Sequence, residues 1–322
     1  MQPLRFKIFN YLRDHPFLLL LRRILGSWPG YQMVPRHSKL HTVKLKLRVS
    51  LSLASAIIRQ DNKSRKSLRK SKDLKGSRSG PILILANGPS TNQISLQQIL
   101  RFKNAGGSLI AMNGFVYSEL SNLVAPEFYL LSDPDAWTLR KEEDYEFLNR
   151  LNSLLSNSWS ETFVVQPVHQ PNVSTLHLSY IYLTNLTSSG LFKGRNPFGI
   201  WGLAPSTALL AFAVADFLGY EPIYFAGLDG DSYRYFKSDD LNLVSWENPQ
   251  HHFYQDISQK FDNTNSSFHG IDVYESIIPT IADALYAEAI MRRDFEYISK
   301  GRFINVSGSL YNDTSPRASL LK

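Results

Sequence analysis

Pro81-Ile82-Leu83-Ile84-Leu85-Ala86-Asn87-Gly88-Pro89-Ser90 decides the fold class. A short apolar run of this length reads as a buried strand, and it stops abruptly in Asn-Gly-Pro-Ser. The residues that follow set Ile94, Leu96, Ile99 and Leu100 at spacings that suit one apolar helix face. Strand, tight polar turn and helix form the opening unit of an open α/β sheet, which collects its ligands beyond the carboxyl ends of its strands. Ser90 is expected to cap the helix, with Gln93 as its capping-box partner. Such a helix start offers backbone N–H groups to an anion, so a phosphate is the natural guest. Gly88 lets a ligand approach the backbone, and Pro89 stiffens the turn. Ordinary strand-to-helix connections use the same residue types, so the motif needs company before it means a site.

The rest of the chain supplies that company. From residue 81 onward strands and helices alternate. Ser108–Met112 reads as a strand ending in Asn113-Gly114, and 116–123 as a short helix. A third strand at 127–132 ends in Asp133-Pro134-Asp135, and a charged helix follows at 138–155. Further strands are expected at 162–166 and 176–183, then a glycine-rich loop at 189–203. The segment 205–219 is apolar nearly all round and reads as a helix deep in the fold, opened by Pro205 and closed by Gly219. A strand at 221–227 ends in Leu228-Asp229-Gly230-Asp231. Residues 232–270 are polar, aromatic and irregular; 271–297 is expected to be helical and 302–306 a last strand. In a parallel sheet the polar strand ends share one edge, so Asn87, Asn113, Asp133 and Asp229 are expected to line one crevice.

Composition sets the frame. A chain of 322 residues, 43% hydrophobic, can bury one large core with a small appendage. We expect an α/β catalytic domain over 81–322, its mostly parallel sheet carrying helices on both faces, with a small irregular lid at about 230–270. There is no cysteine, which excludes disulfides, thiolate metal sites and a cysteine nucleophile, and fits a reducing compartment. The net charge of +7 conceals a division. Residues 1–80 hold 19 Lys and Arg against three acidic residues, a net of +16, whereas 81–322 hold 16 against 25, a net of −9.

That basic extension contains Phe17-Leu18-Leu19-Leu20-Leu21 between Arg13 and Arg22-Arg23, too short to span a bilayer and without a following cleavage site for a signal peptide. Val43, Leu45, Leu47, Val49 and Leu51 alternate with basic residues, and 59–80 is a polar, basic linker. The pattern suits peripheral attachment to an anionic membrane surface, at the inner face of the cytoplasmic membrane. A solvated tail would have the same composition. The linker has no interleaved aromatics and the following domain is acidic, so no nucleic-acid partner is expected. Neither a Walker loop, nor Gly-x-Gly-x-x-Gly, nor a Gly-x-Ser-x-Gly elbow occurs, which argues against a P-loop ATPase, an ordinary NAD enzyme and an α/β-hydrolase.

Asn87-Gly88-Pro89-Ser90 after a strand, Met112-Asn113 at the next strand end, and Ser206-Thr207 opening the apolar helix that runs into Leu218-Gly219-Tyr220-Glu221-Pro222-Ile223-Tyr224-Phe225-Ala226-Gly227-Leu228-Asp229 together resemble the bacterial lipooligosaccharide sialyltransferase family. The skeleton is also similar to the related 6-hydroxymethylpterin diphosphokinase-like proteins, which include members linked to flagellin modification. The Asn-Gly form of the turn leans toward the sialyltransferases, and Phe128 to Pro134 toward the pterin-kinase-like side. The resemblance covers about residues 80–310. It implies a modified Rossmann-like domain with a lid, acting as a glycosyltransferase on a cytidine monophosphate sugar without a required cofactor. The sugar would be sialic-acid-like, and the acceptor a cell-surface glycan. Asn87, Gly88, Pro89 and Ser90 would hold the donor phosphate and ribose, Asn113 would contact the nucleotide, and Ser206 and Thr207 would meet the donor's carboxylate or base.

Glycosyl transfer also needs a base for the acceptor hydroxyl and help for the departing phosphate. In the family the base is a histidine of the lid region. His252-Phe253-Tyr254 resembles that stretch, although the family's histidine lies a few residues further on, where this chain has Gln255-Asp256; His269 competes for the role. Tyr233, Tyr235 and Tyr254 are candidates to bond the leaving phosphate. Two features depart from the family. Asp133-Pro134-Asp135 and Asp229-Gly230-Asp231 are Asp-x-Asp pairs, a spacing that can hold Mg²⁺ or Mn²⁺ against a diphosphate. The alternatives are therefore a metal-dependent enzyme acting on a diphosphate, including a pterin-type diphosphokinase, or a nucleotide-sugar-binding protein without turnover. Asn172-Val173-Ser174, Asn185-Leu186-Thr187 and Asn305-Val306-Ser307 match the glycosylation acceptor pattern, which carries no weight without a secretory signal.

Overall fold

Apolar residues that alternate between two buried faces build the sheet. The computed structural model describes residues 73–131, 142–167, 173–174, 176–182, 197–198, 200–201, 206–229, 236–238, 244–248, 259–261, 267–268, 271–272, 292, 294–307 and 315–320. The strands are β1 (Ile82–Leu85), β2 (Ser108–Met112), β3 (Phe128–Leu130), β4 (Phe163–Pro167), β5 (His177–Tyr182), β6 (Ile200–Trp201), β7 (Ile223–Ala226), β8 (Phe236–Ser238), β9 (Val244–Asn248), β10 (Gln259–Phe261), β11 (Ser267–Phe268), β12 (Ile271–Asp272) and β13 (Ile304–Asn305). Eight of them form one sheet in the order β13-β7-β1-β2-β3-β4-β5-β6. All its pairings are parallel, with Ile82 opposite Ser108 on one side and Ile223 on the other. This is the Rossmann-like α/β arrangement expected from the sequence.

Both faces are covered. Helices α1 (Leu96–Asn104), α2 (Leu120–Leu123), α3 (Glu142–Ser156) and α4 (Thr207–Leu218) connect the strands. Ile82, Ile84, Ile110, Met112, Phe128, Leu130 and Phe225 face α4, joined by Phe295 and Phe303 from the end of the chain. Leu83, Leu85, Leu109, Ala111 and Tyr129 face Ile99 and Phe102 of α1 and Leu151 of α3. Each such side chain contributes about 1.5–3 kcal/mol by leaving water, so a register slip that exchanged the two faces would forfeit many of these terms at once. Gly219 closes α4 in the left-handed region at φ 97°, with its N–H reaching Ala215 O at 3.2 Å. Helix α4 is buried on nearly every side, as its composition implied.

Several local expectations give way. Ser90 does not cap the first helix. Pro89–Gln93 is a short 3-10 turn, and Ile94 after it is extended at φ −100°, ψ 118°. The capping box is the next one along: Ser95 Oγ accepts from Gln98 N at 3.3 Å, and Ser95 N donates to Gln98 Oε1 at 2.9 Å. The expected helix at 116–123 divides into a 3-10 turn, Asn113–Tyr117, and α2. Within the loop expected at 189–203, Ile200–Trp201 pairs with β5. The segment expected as an irregular lid is not wholly irregular, because β10-β9-β8 form a three-stranded antiparallel sheet. Its strands are three to five residues long, too short for alternation to stand out in the sequence. The expected long helix at 271–297 begins instead as strand β12, antiparallel to β11, and helix is described only at 292 and 294–299. His269 itself lies outside the described residues. No helix among the described residues is long and apolar enough to cross a membrane.

Candidate active site

Chain order reverses between β1 and β7. From β1 the chain steps outward through β2 to β6, then returns to β7 on the other side of β1. Connections leave such a point toward opposite faces of the sheet, and a crevice opens beyond the carboxyl ends of the strands. The turns after β1 and β7 are held together there. Ala86 N donates to Ala226 O at 2.9 Å, and Gly88 N to Gly227 O at 2.9 Å. Glycine is required at both contacts. A Cβ on Gly88 would lie 2.3 Å from Asp229 Oδ2 and 2.5 Å from Gly227 O. A Cβ on Gly227, whose φ is 74°, would lie 2.0 Å from Thr91 Oγ1.

Ser90 stands at the centre of this corner. Its backbone N–H donates to Asp229 Oδ2 at 3.0 Å. Its hydroxyl meets the Ser307 hydroxyl at 3.1 Å. Thr91 Oγ1 turns inward and donates to Ala86 O at 2.8 Å. These claims explain why Ser90 fails as a helix cap. They also alter the electrostatics expected of the turn: a carboxylate already receives the Ser90 N–H. Asn87 Oδ1 is buried here and accepts no hydrogen bond among the described residues.

The second strand end is tied to the apolar helix. Asn113 adopts φ 42°, a left-handed conformation that asparagine tolerates better than most residues. Its Nδ2 donates to Thr207 Oγ1 at 3.0 Å, linking the end of β2 to the start of α4. Tyr129 donates its hydroxyl to Asn113 O and so fixes the same turn from β3. Ser206 precedes α4 without a capping bond from its side chain.

The structure thus brings Asn87, Gly88, Pro89, Ser90 and Asp229 together in one corner, and Asn113 with Thr207 beside Ser206 at the same edge. Asp133, Asp135, Asp231, His252 and His269 lie outside the described residues, as do Tyr233, Tyr235 and Tyr254. Among the described residues no group of three or more His, Asp or Glu could hold a metal ion.

Ser307 and Asn305 were missed by the sequence reading. Asn305 Oδ1 accepts from Ser307 N at 2.8 Å and from Ser307 Oγ at 3.1 Å, a local Asx-type turn. Their sequence signal is Asn305-Val306-Ser307 at a strand end, the same three residues that match the glycosylation acceptor pattern.

Comparison with known proteins adds little beyond this geometry. No protein-family model matches the chain, and no curated protein does. Among solved structures the chain is similar to the sialyltransferase CstII from Campylobacter jejuni in complex with a substrate analogue, cytidine-5'-monophosphate. The identity is 14%, the match covers 75% of this chain and 86% of that one, and the TM-score is 0.38. At that level the match carries no argument about function.

Proposed function

We propose that this protein is a glycosyltransferase that draws a sugar from a nucleotide-activated donor, a cytidine monophosphate sugar of the sialic-acid-like class, and transfers it to a cell-surface glycan. One observation carries the reading. The sequence blocks that resemble the sialyltransferase family, Asn87 to Ser90, Asn113, Ser206-Thr207 and Asp229, are far apart in the chain yet meet at the carboxyl edge of one parallel sheet, beside its switch point. Ordinary turns would not need that agreement.

In this reading the acceptor oxygen attacks the anomeric carbon as the bond from that carbon to the donor phosphate breaks. The acceptor proton passes to a histidine, His252 in first place and His269 in second. Tyrosines of the lid, among them Tyr233, Tyr235 and Tyr254, receive the developing charge on the nucleotide phosphate. Residues 1–80, with their net of +16, hold the enzyme at an anionic membrane face where the acceptor is built.

A thermal-shift series with cytidine, uridine, guanosine and adenosine nucleotides tests the donor, because a ligand of the folded state raises apparent stability by mass action. A shift with CMP, sugar transfer that survives EDTA, and a loss of about 100-fold in His252→Ala are expected. A chain that responds to no cytidine nucleotide, or whose transfer stops on chelation, would remove this reading.

A further inference from the structure

The hydrogen bonds around Ser307 dictate the direction of the protons in the corner. Asn305 Oδ1 is identified as the oxygen because it receives Ser307 N–H at 2.8 Å. An amide oxygen only accepts, so the Ser307 hydroxyl donates to it across 3.1 Å. The 3.1 Å contact between the two serine hydroxyls must then be filled by the Ser90 hydrogen. Any other assignment leaves two acceptors facing each other without a hydrogen. Gly227 N, 3.4 Å away, also points at Ser307 Oγ as a donor. Ser307 is 6% exposed, Asn305 1% and Ser90 8%, so water does not readily substitute within the chain of bonds.

We propose that Ser307, oriented by Asn305, is a positioning residue that takes the Ser90 hydroxyl hydrogen and so presents Ser90 Oγ to the crevice as an acceptor. The inference rests on the nucleotide-donor reading above. The corner has no hydrogen left to give a phosphate from Ser90: its N–H is on Asp229 Oδ2 and its O–H is on Ser307. What the corner does have is acceptors, namely Ser90 Oγ and the buried Asn87 Oδ1. Acceptors of this kind receive hydroxyl groups, so the corner reads a sugar hydroxyl of the nucleotide and not its phosphate.

Calorimetric titration of the full chain with CMP and with 2′,3′-dideoxycytidine 5′-monophosphate tests this. The unaltered chain is expected to prefer CMP by about tenfold, the worth of one hydrogen bond that a buried acceptor would otherwise miss. Ser307→Ala and Ser90→Ala should each bring the preference to within about twofold, by weakening CMP while leaving the dideoxy ligand's affinity unchanged. Ser307→Thr, which keeps the hydroxyl, should retain it. If Ser307→Ala does not fold, the contrast between Ser307→Thr and Ser90→Ala decides. A preference that survives in Ser307→Ala, or an equal loss for both ligands, overturns the inference and leaves the proposed function standing. An unaltered chain that binds neither ligand overturns both.

Discussion

The backbone N–H of Ser90 donates to Asp229 Oδ2 at 3.0 Å across 139 positions of sequence. The carboxylate sits where a phosphate was expected, and it joins the turns after β1 and β7. Asp229→Ala would leave the Ser90 N–H without its acceptor, at a cost of about 1–3 kcal/mol. Asp229→Asn keeps an amide oxygen in reach and should cost less than half as much. Urea unfolding of the three proteins checks the order. Equal destabilisation by both variants would show that the charge, and not the hydrogen bond, holds the turns together.

Gly88 lies where the same two turns make closest contact. Gly88→Ala would set a Cβ 2.5 Å from Gly227 O, which is backbone and cannot turn aside. The turns must part, at an expected cost of about 1–3 kcal/mol, and CMP binding should fall with them. Gly106→Ala is the control. That glycine has φ 89° but nothing within 4 Å, so only conformational strain remains, about 1 kcal/mol and no change in binding. Denaturation midpoints and CMP titrations on both variants distinguish a packing constraint from a conformational one.

At the opposite edge of the sheet, Tyr220 gives the fold a pH dependence. Burial pushes its phenol above its ordinary value, against the opposing influences of a hydrogen bond with Ser108 and the charge of Arg78. The unfolded chain therefore loses this proton before the folded one does. Stability from this group is fully present below the unfolded pKa, near 10, and is lost as pH rises through the higher folded value. Tyr220→Phe should flatten the alkaline limb of a plot of melting temperature against pH, while the lost Ser108 hydrogen bond lowers the neutral region by a constant amount. Parallel curves for the two proteins between about pH 9 and 11 would contradict the assignment.

The sheet was legible because its physics is local and repeated. Ile82 and Ile84 against Leu83 and Leu85 announce a strand buried on both faces, and Asn87 and Asn113 announce where strands stop. The first helix cap was not legible, for a reason visible in the chain. Ser90 with Gln93 and Ser95 with Gln98 are the same pattern, Ser-x-x-Gln, in succession. Only long-range partners decide between them: Asp229 and Ser307 claim Ser90, so Ser95 becomes the cap. The Ser90–Ser307 contact spans 217 positions and leaves no trace in any local periodicity. The crevice could be anticipated from strand ends, but the polarity of its corner could not, because donors and acceptors are assigned by tertiary pairing.

Asn113 separates conformation from contact at the other strand end. Its φ of 42° favours glycine over alanine, while its Nδ2 bond to Thr207 Oγ1 at 3.0 Å needs the amide itself. Asn113→Ala loses the bond and keeps the strain, for about 1–2 kcal/mol in total. Asn113→Gly loses the bond but relieves the strain, so it should be the more stable of the two by about 1 kcal/mol. If Asn113 contacts the nucleotide, both variants should weaken CMP binding to the same extent despite that difference. Melting curves and CMP titrations on the pair give the answer. Binding that follows stability would assign Asn113 to the architecture of the turn alone, whereas binding lost equally in both assigns its amide to the ligand.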